Sequence, residues 1–521
     1  MSEEPVVHSE SEDRGRRAIN RILCATLDGV NAKKIEVEAT FIKGLPGFSV
    51  VGLASNEIQE SRERVKAALS TNGFTFPPLK ITINLSPSDI PRKSGTHFDL
   101  PIALLIALNA ESIERRDLFV FGELGLDGRV KSSSMLFPLI LSLKEREEIE
   151  RAMVPREAME YLSHIPGIEF VPVDTLEEAI EAISSMEGES EGVAYGYDAE
   201  TIVIDEENYY FRREYPYDFI DVKGQDIAKR ASLVAAAGMH NFLMEGSPGC
   251  GKSMIAGRLR YILPPMRESE ILSVAKHAFL NGDIPAFDPL RPQRSPHHTA
   301  TPASIFGGGS SSARIGEVAL AHCGILFFDE LPHFSKNVLE ALREPMQDRR
   351  VNIARVNSKI SYDADFMFVA AMNPCPCGNL LARSRSCRCS EAEIKRYRNR
   401  LSDPFLDRID IFVVMQEVDA SDRSGIDSAT MHEKVLGAFE MQKRRGQSSL
   451  NGRLSESEID RYCILEEDAQ RVLNQAVSRF SLSHRSIVSI KKVSRSIADL
   501  DGSDTISKSH LLEALSFRRR R

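Results

Sequence analysis

The chain has 521 residues, 42% hydrophobic and 27% charged, with no tryptophan and a formal net charge of −9. At roughly 100–200 residues per domain, this length predicts about three domains. The apolar share is that of a globular chain and excludes global disorder. The acidic balance excludes a uniformly basic coat for nucleic acid, though not a local basic channel.

The longest apolar run, 100–108, is far below the ~20 residues a membrane helix needs. Residues 1–15 are acidic and polar and lack the basic, apolar, small-residue order of a signal peptide, which predicts a mobile tail on a cytoplasmic chain with no membrane partner. Patterned sequence starts near Arg17. Ile35, Val37, Ala39 and Phe41 alternate with Glu36, Glu38 and Thr40, the period of a strand with one wet face. Ile81, Ile83 and Leu85 alternate with Thr82 and Asn84 in the same way. The charged stretch 56–69 between them predicts a helix, and 101–108 a buried one. Residues 16–185 are therefore expected to form an α+β domain. Residues 186–217 are acidic and show no sustained apolar period, so a linker or loosely packed strap is expected there.

From 218 to 416, short apolar runs at 241–244, 324–328 and 366–371 alternate with helical patterns, the signature of a parallel α/β sheet. From 417 to 521 the pattern is helical, with Ser or Asp placed as N-caps before several runs.

The run Gly246-Ser247-Pro248-Gly249-Cys250-Gly251-Lys252-Ser253 has the spacing of a phosphate-binding loop, with an apolar run before it and helical character after it. Glycines let backbone N–H groups converge on phosphate oxygens, and the following helix N-terminus adds a positive field. Lys252 is placed to reach the β- and γ-phosphates of ATP and Ser253 to ligate Mg²⁺. The apolar run 325–328 sets Asp329 and Glu330 at the C-terminal edge of a strand, where ligands of open α/β sheets bind. Asp329 suits the Mg²⁺ shell, and Glu330 suits polarising the water that attacks the γ-phosphate. Asn373 follows the run 366–372, either holding that water or forming a simple Asn-Pro turn.

These strand ends, in this order, resemble those of AAA+ ATPases. The resemblance narrows with His297-His298-Thr299, Gly307-Gly308-Gly309-Ser310, Gly316-Glu317-Val318-Ala319-Leu320-Ala321-His322, Asn373-Pro374-Cys375-Pro376-Cys377-Gly378 and Leu401-Ser402-Asp403-Pro404-Phe405-Leu406-Asp407-Arg408-Ile409-Asp410. With Gly44-Leu45-Pro46-Gly47-Phe48, Val51-Gly52-Leu53, Asn84-Leu85-Ser86-Pro87 and Phe98-Asp99-Leu100-Pro101-Ile102-Ala103, these motifs are similar to the magnesium-chelatase-like YifB/ComM family over residues 17–515. That resemblance implies a homo-hexameric ring with ATP held between neighbours, a parallel AAA+ core and a helical lid. It implies that Asn373 is the sensor 1 residue, that Arg408 is the arginine finger, and that Arg485 is the sensor 2 residue of the lid, with Arg495 as the alternative. It also places 222–225 near the adenine. The N-terminal domain resembles the Lon-protease fold. Where such proteases carry Gly-Pro-Ser-Ala-Gly, this chain reads Gly95-Thr96-His97-Phe98-Asp99, and 132–138 contains no Lys. The nucleophile and its activator are both missing, so no peptidase activity is expected.

Four of the eight cysteines, Cys375, Cys377, Cys387 and Cys389, form two Cys-x-Cys pairs. Such a set suits tetrahedral Zn²⁺, with free or redox-active thiols as the alternative. Residues 351–362 predict a hairpin whose Arg355 and Lys359 are candidate DNA phosphate contacts. The segment 297–312 is a candidate second, Gly-flexible pore insert, the basic run 395–400 either a nucleic-acid contact or a subunit-interface helix, and the tail 517–521 either a nucleic-acid contact or disordered. The expectation is a ring motor that hydrolyses ATP and acts on DNA, in helicase or branch-migration work on incoming DNA. A protein-remodelling or metal-chelatase-type ATPase is the alternative.

Overall fold

The computed structural model describes residues 20–90, 93–108, 117–184, 196–308, 314–354, 359–419 and 422–518. The expected tail 1–15, Arg355 and the last three arginines lie outside these residues. The chain divides into two compact units, Met1–Tyr195 and Gly196–Arg521. Among the described residues, no helix is long and apolar enough to cross a membrane.

In the first unit a seven-stranded sheet runs in the order Gly47–Val51, Lys80–Ser86, Asn31–Ile42, Asn20–Asp28, Leu118–Val120, Arg151–Pro155, Glu169–Val173. The two alternating segments pair antiparallel, with Val37 opposite Leu85 and Ala39 opposite Ile83, so their apolar sides share one face. The charged helix forms over Asn56–Thr71, burying Ile58, Val65, Ala68 and Leu69. The helix Asp99–Ala107 is buried from Asp99 to Ile106. Its Pro101 sits in the first turn, where a missing N–H costs no intrahelical bond.

In the second unit five parallel strands are ordered Gln293–Arg294, Ile325–Phe328, Met367–Met372, Phe242–Gly246, Ile411–Met415. The central three are buried along their whole length, as expected where a parallel sheet is covered on both faces. The register sets Phe328 beside Ala370, Glu245 beside Met372 and Gly246 beside Met415. The loops after the first three of these strands to carry chemistry therefore open on one edge of the sheet.

The segment expected as a linker over 186–217 is instead structured from 200 onward. Glu200–Ile204 and Glu207–Phe211 form an antiparallel hairpin, extended by Met266–Arg267. Ile204 and Tyr209 pack on Phe439, with the Tyr209 and Phe439 rings 5.0 Å apart. Each strand of the hairpin has only five residues and acidic neighbours. Its alternation is too short to stand out of the surrounding acidic sequence.

The lid comprises helices Ser428–Arg444, Glu456–Tyr462, Glu467–Phe480, His484–Leu500 and Lys508–Ser516. Asp427 and Ser483 cap two of them by accepting from the backbone N–H groups of Thr430 and Ser486. Sheet residues Met244 and Val413 share a core with Val435, Ile490 and Ile497 of the lid. Inside the lid, Arg495 is fully buried. Its Nε donates to Asp499 Oδ1 at 3.1 Å and its Nη1 to the Asp504 carbonyl at 2.7 Å. Asn451 Nδ2 donates to the other oxygen of Asp499 at 2.7 Å, and Arg445 also pairs with that carboxylate. Arg495 is thus a structural residue of the lid, and it has no path to a nucleotide.

Asp499→Ala leaves the buried Arg495 guanidinium unpaired and is expected to cost about 3–5 kcal/mol. A urea titration of the full chain, followed by far-UV circular dichroism, checks this. A loss below about 1 kcal/mol, no more than one ordinary hydrogen bond, would contradict it.

Candidate active site

The buried strand Phe242–Gly246 feeds the glycine-rich loop, which runs into helix Lys252–Leu259. Gly249 and Gly251 hold φ of 82° and 96°, a region that side chains disfavour, and so turn the backbone tightly into the helix. A Cβ on Gly246 would lie 2.7 Å from Cys250 Sγ, so the loop packs only around glycine there. Lys252 Nζ donates to the Gly246 and Ser247 carbonyls at 2.6 and 3.0 Å and to Asn373 Oδ1 at 3.2 Å. Ser253 Oγ donates to Asp329 Oδ2 at 2.9 Å. The Lys252, Ser253, Asp329 and Asn373 side chains are thereby brought together from three neighbouring strand ends.

Ser247 is buried and its hydroxyl has no hydrogen-bond partner among the described residues. Cys250 is buried as well, its Sγ 3.8 Å from Lys252 Nζ. Pro248 and Gly249 are exposed at the tip of the loop. Gln225, expected near the adenine, holds φ of 59° and donates from Nε2 to the Cys250 carbonyl at 3.2 Å and to the Gln416 carbonyl at 2.6 Å. It ties the phosphate loop to the end of the strand Ile411–Met415. This donor set fits a Mg²⁺-nucleotide: a lysine at the loop centre, a Ser-Asp pair of oxygens for the cation, and an unused buried hydroxyl.

Asp329 Oδ1 accepts from the Glu330 N–H at 2.9 Å. Glu330 is exposed and left-handed at φ 51°, an uncommon conformation for a non-glycine residue. That turn swings its carboxylate off the strand axis. His298 Nδ1 lies 3.7 Å from Glu330 Oε2, and its ring stands 5.9 Å from that of His333. Sequence reasoning missed His298 as a neighbour of Glu330. The His297-His298 pair was the available signal, but no local spacing links it to a strand end some thirty residues on.

Arg408 and Arg485 do not join this cluster. Arg408 Nη2 and Arg485 Nη2 both donate to Gln347 Oε1, at 2.9 and 3.1 Å. Arg408 Nη1 and Nε are also bonded, to the Pro404 and Arg343 carbonyls at 2.7 and 3.2 Å. Burial first, and then the charge of Arg485, lower the pKa of Arg408 from its ordinary value. The Arg408 carbonyl accepts from Asn241 Nδ2 at 2.9 Å, directly before strand Phe242–Gly246. Arg408 therefore sits at the N-terminal edge of the sheet and the phosphate loop at the C-terminal edge. A five-residue strand separates these edges by roughly 13 Å at ~3.3 Å per residue. Gln347, which gathers both arginines, carried no sequence signal.

The hairpin expected at 351–362 forms between Arg350–Ala354 and Lys359–Asp363. Lys359 opens its second strand, opposite Ala354. The basic run 395–400 lies in and just after helix Glu391–Arg398, where Arg398 Nη2 pairs with Glu245 Oε1 at 3.1 Å.

The four clustered cysteines converge. Cys375, Cys377 and Cys387 place their Sγ atoms 3.4–3.7 Å apart, and all four Sγ atoms, with Cys389, lie within 4.8 Å of one another. A tetrahedral thiolate set at a Zn–S distance of ~2.3 Å has edges of ~3.8 Å. The backbone N–H groups of Arg388 and Asn379 bring the Cys377 thiol down to about 6, whereas the coupled Cys387 and Cys389 thiols are raised, so without a metal one thiolate is favoured and its neighbours keep their protons. Cys24, Cys250, Cys323 and Cys463 stand apart from this cluster and are buried.

Models of the magnesium chelatase subunit ChlI match residues 218–423, the ChlI subunit of Mg-chelatase 37–158, and the ChlI C-terminal region 425–518. The uncharacterized protein YifB of Salmonella typhimurium is 37% identical over 501 residues, covering 94% of this chain and 95% of that relative. The competence protein ComM of Haemophilus influenzae is 36% identical over 502 residues, with the same coverage of both chains. YifB of Escherichia coli is 36% identical over 501 residues, again at 94% and 95%. With this identity along nearly the whole length, and with its nucleotide-type loop and strand ends in one parallel sheet, the chain belongs to the YifB/ComM family of magnesium-chelatase-like AAA+ ATPases.

Proposed function

We propose that the chain hydrolyses ATP as a homo-hexameric ring whose sites form between neighbours, and that the ring moves on DNA. The observation that carries this reading is the split of the site. Lys252, Ser253, Asp329 and Asn373 meet at one edge of the sheet, whereas Arg408 and Arg485 are held together at the other. One chain supplies the phosphate cradle, and the next supplies the two arginines.

Lys252, with the loop N–H groups, binds and orients the β- and γ-phosphates. Mg²⁺, when bound by Ser253 and Asp329, neutralises charge on the phosphate oxygens. Glu330 takes a proton from the attacking water, and His298, 3.7 Å away, is placed to orient that carboxylate. Asn373 Oδ1 positions Lys252, leaving the Asn373 amide N–H groups for the water or the γ-phosphate. Arg408 of the neighbour meets the charge that builds up in the transition state, a contribution of ~10³–10⁵ in rate for such arginines. The four thiols are taken as a structural Zn²⁺ site.

DNA as the track draws support from the competence-protein relative and from the hairpin that bears Lys359. The first unit is taken as a Lon-like module without peptidase work. In the stretch 95–99, His97 is spent on the Ala25 carbonyl at 2.8 Å and Asp99 on Arg64 at 2.6 Å. The magnesium chelatase match favours the second reading, a motor that remodels a partner protein.

Glu330→Gln is expected to keep ATP binding and lower turnover by ~10²–10⁴-fold, as for loss of a general base; single-turnover hydrolysis and filter binding of labelled ATP check this. Turnover that survives Glu330→Gln would remove Glu330 from the base role. Forked or four-way-junction DNA is expected to stimulate ATP turnover at low salt, and the combined Arg355→Ala and Lys359→Ala change to weaken that stimulation. If no DNA structure stimulates turnover and the double change has no effect, the protein-remodelling reading takes its place.

A further inference from the structure

The segment from Asn373 to Arg398 contacts the phosphate loop and its supports at three points. First, Gly378, at φ 78°, is pressed against the loop: a Cβ there would lie 2.6 and 2.7 Å from Pro248 Cδ and Cγ. The Gly378 N–H donates to the Cys375 carbonyl at 3.0 Å, which closes the turn just after Asn373. Second, the Arg383 and Ser384 N–H groups donate to Glu417 Oε2 at 2.9 and 3.1 Å, and Arg383 Nη2 donates to Gln416 Oε1 at 2.9 Å. The Gln416 carbonyl is in turn held by Gln225, which also holds Cys250. Third, Ser390 caps helix Glu391–Arg398 directly after Cys389, and Arg398 of that helix pairs with Glu245 in the strand that feeds the loop.

Apolar burial in this segment is confined to its two ends, at Pro374 and Cys375 and at Tyr397. Cys375 is buried, but from 379 to 390 no residue is buried. Two features tie the limbs to each other: the set of four thiols, all within 4.8 Å, and, beyond the loop, a hydrogen bond between the Tyr397 hydroxyl and the Asn373 backbone. Metal ligation is the physical cross-link such a loop requires, because the binding energy of the metal replaces the missing core.

We propose that the four-cysteine knuckle is the strut that fixes Pro248 and Asn373, so that nucleotide binding by the chain depends on bound Zn²⁺. This rests on the reading of the four thiols as a Zn²⁺ site. Zn²⁺ acts here on position alone: Asn373 orients Lys252, Pro248 caps the loop, and both lean on the turn that Cys375 and Cys377 anchor. No step of hydrolysis passes through the metal. The thiol-rich knuckle thereby makes the motor responsive to zinc supply and to reagents that attack thiolates.

The test uses the full chain. Metal content by plasma mass spectrometry is read together with the affinity for a fluorescent ATP analogue and the far-UV circular dichroism spectrum. About one zinc per chain is expected. Chelation, or the combined Cys387→Ser and Cys389→Ser change, is expected to remove the zinc and weaken nucleotide binding about tenfold or more, and adding Zn²⁺ back to the chelated protein to restore it. Gly378→Ala leaves the thiols untouched, so it is expected to keep the zinc and weaken nucleotide binding through the contact with Pro248. Chelated protein with an unchanged dichroism spectrum that binds nucleotide within about twofold of the wild type overturns the strut while leaving the Zn²⁺ site standing. Gly378→Ala binding nucleotide like the wild type also overturns the strut. Protein that carries no zinc and takes none up on titration overturns the Zn²⁺ reading itself.

Discussion

The parallel pairing of Phe242–Gly246 with its two neighbours is the constraint on which the rest of the second unit depends. Because Phe242 sits beside both Val369 and Ile411, all three strands point the same way and end at one edge. Backbone ladder geometry, more than any side-chain choice, brings Lys252 within 3.2 Å of Asn373 and Ser253 within 2.9 Å of Asp329. The same pairing assigns Arg408 to the opposite edge, since it precedes Ile411 by only three residues. A sheet one strand-length thick thus sets Lys252, Ser253, Asp329 and Asn373 at one rim of the chain and the Arg408 and Arg485 guanidinium groups at the other.

The guanidinium rim joins the sheet domain to the lid. Gln347 stands in helix Arg343–Asp348, Arg408 in the loop before the last strand, and Arg485 in the lid helix His484–Leu500. One amide oxygen gathers two like charges that would otherwise repel, and burial, followed by the charge of Arg485, lowers the pKa of Arg408. Any lid movement that displaces Arg485 alters the environment of Arg408. Below this rim the core is continuous from Met244 and Val413 into Val435, Ile490 and Ile497. The lid is therefore packed on the sheet as well as tethered to it.

The parts of this arrangement that were legible in the sequence are those encoded within a few residues. The loop 246–253 announces itself because its glycines and lysine must stand at fixed offsets, and Asp329-Glu330 because two acids directly follow a buried apolar run, at the edge where ligands of open α/β sheets bind. The Cys-x-Cys pairs could be counted, but their convergence within 4.8 Å depends on how the loop 378–386 returns. Arg485 and Arg495 looked alike as basic residues of one helix. Burial separates them, since Asp499, Asn451 and Arg445 meet only around Arg495. Gln347 and His298 act through partners more than thirty residues away, so no local spacing marks them. The hairpin 200–211 was hidden because five-residue strands amid acids leave too short an alternation to detect.

The central claim is that each catalytic site is shared by two chains, and mixing inactive variants tests it most directly. Lys252→Ala lacks the phosphate lysine and Arg408→Ala lacks the donated guanidinium, so each alone is expected to have lost ATP turnover. Mixed in equal amounts, they form some interfaces that join an intact Lys252 to an intact Arg408 from the neighbour. Turnover is then expected to return to at most about a quarter of the wild-type rate under random assembly. Mixed assemblies, verified by native mass spectrometry, that recover no turnover would contradict the shared site, and so would an Arg408→Ala chain that hydrolyses ATP at the wild-type rate.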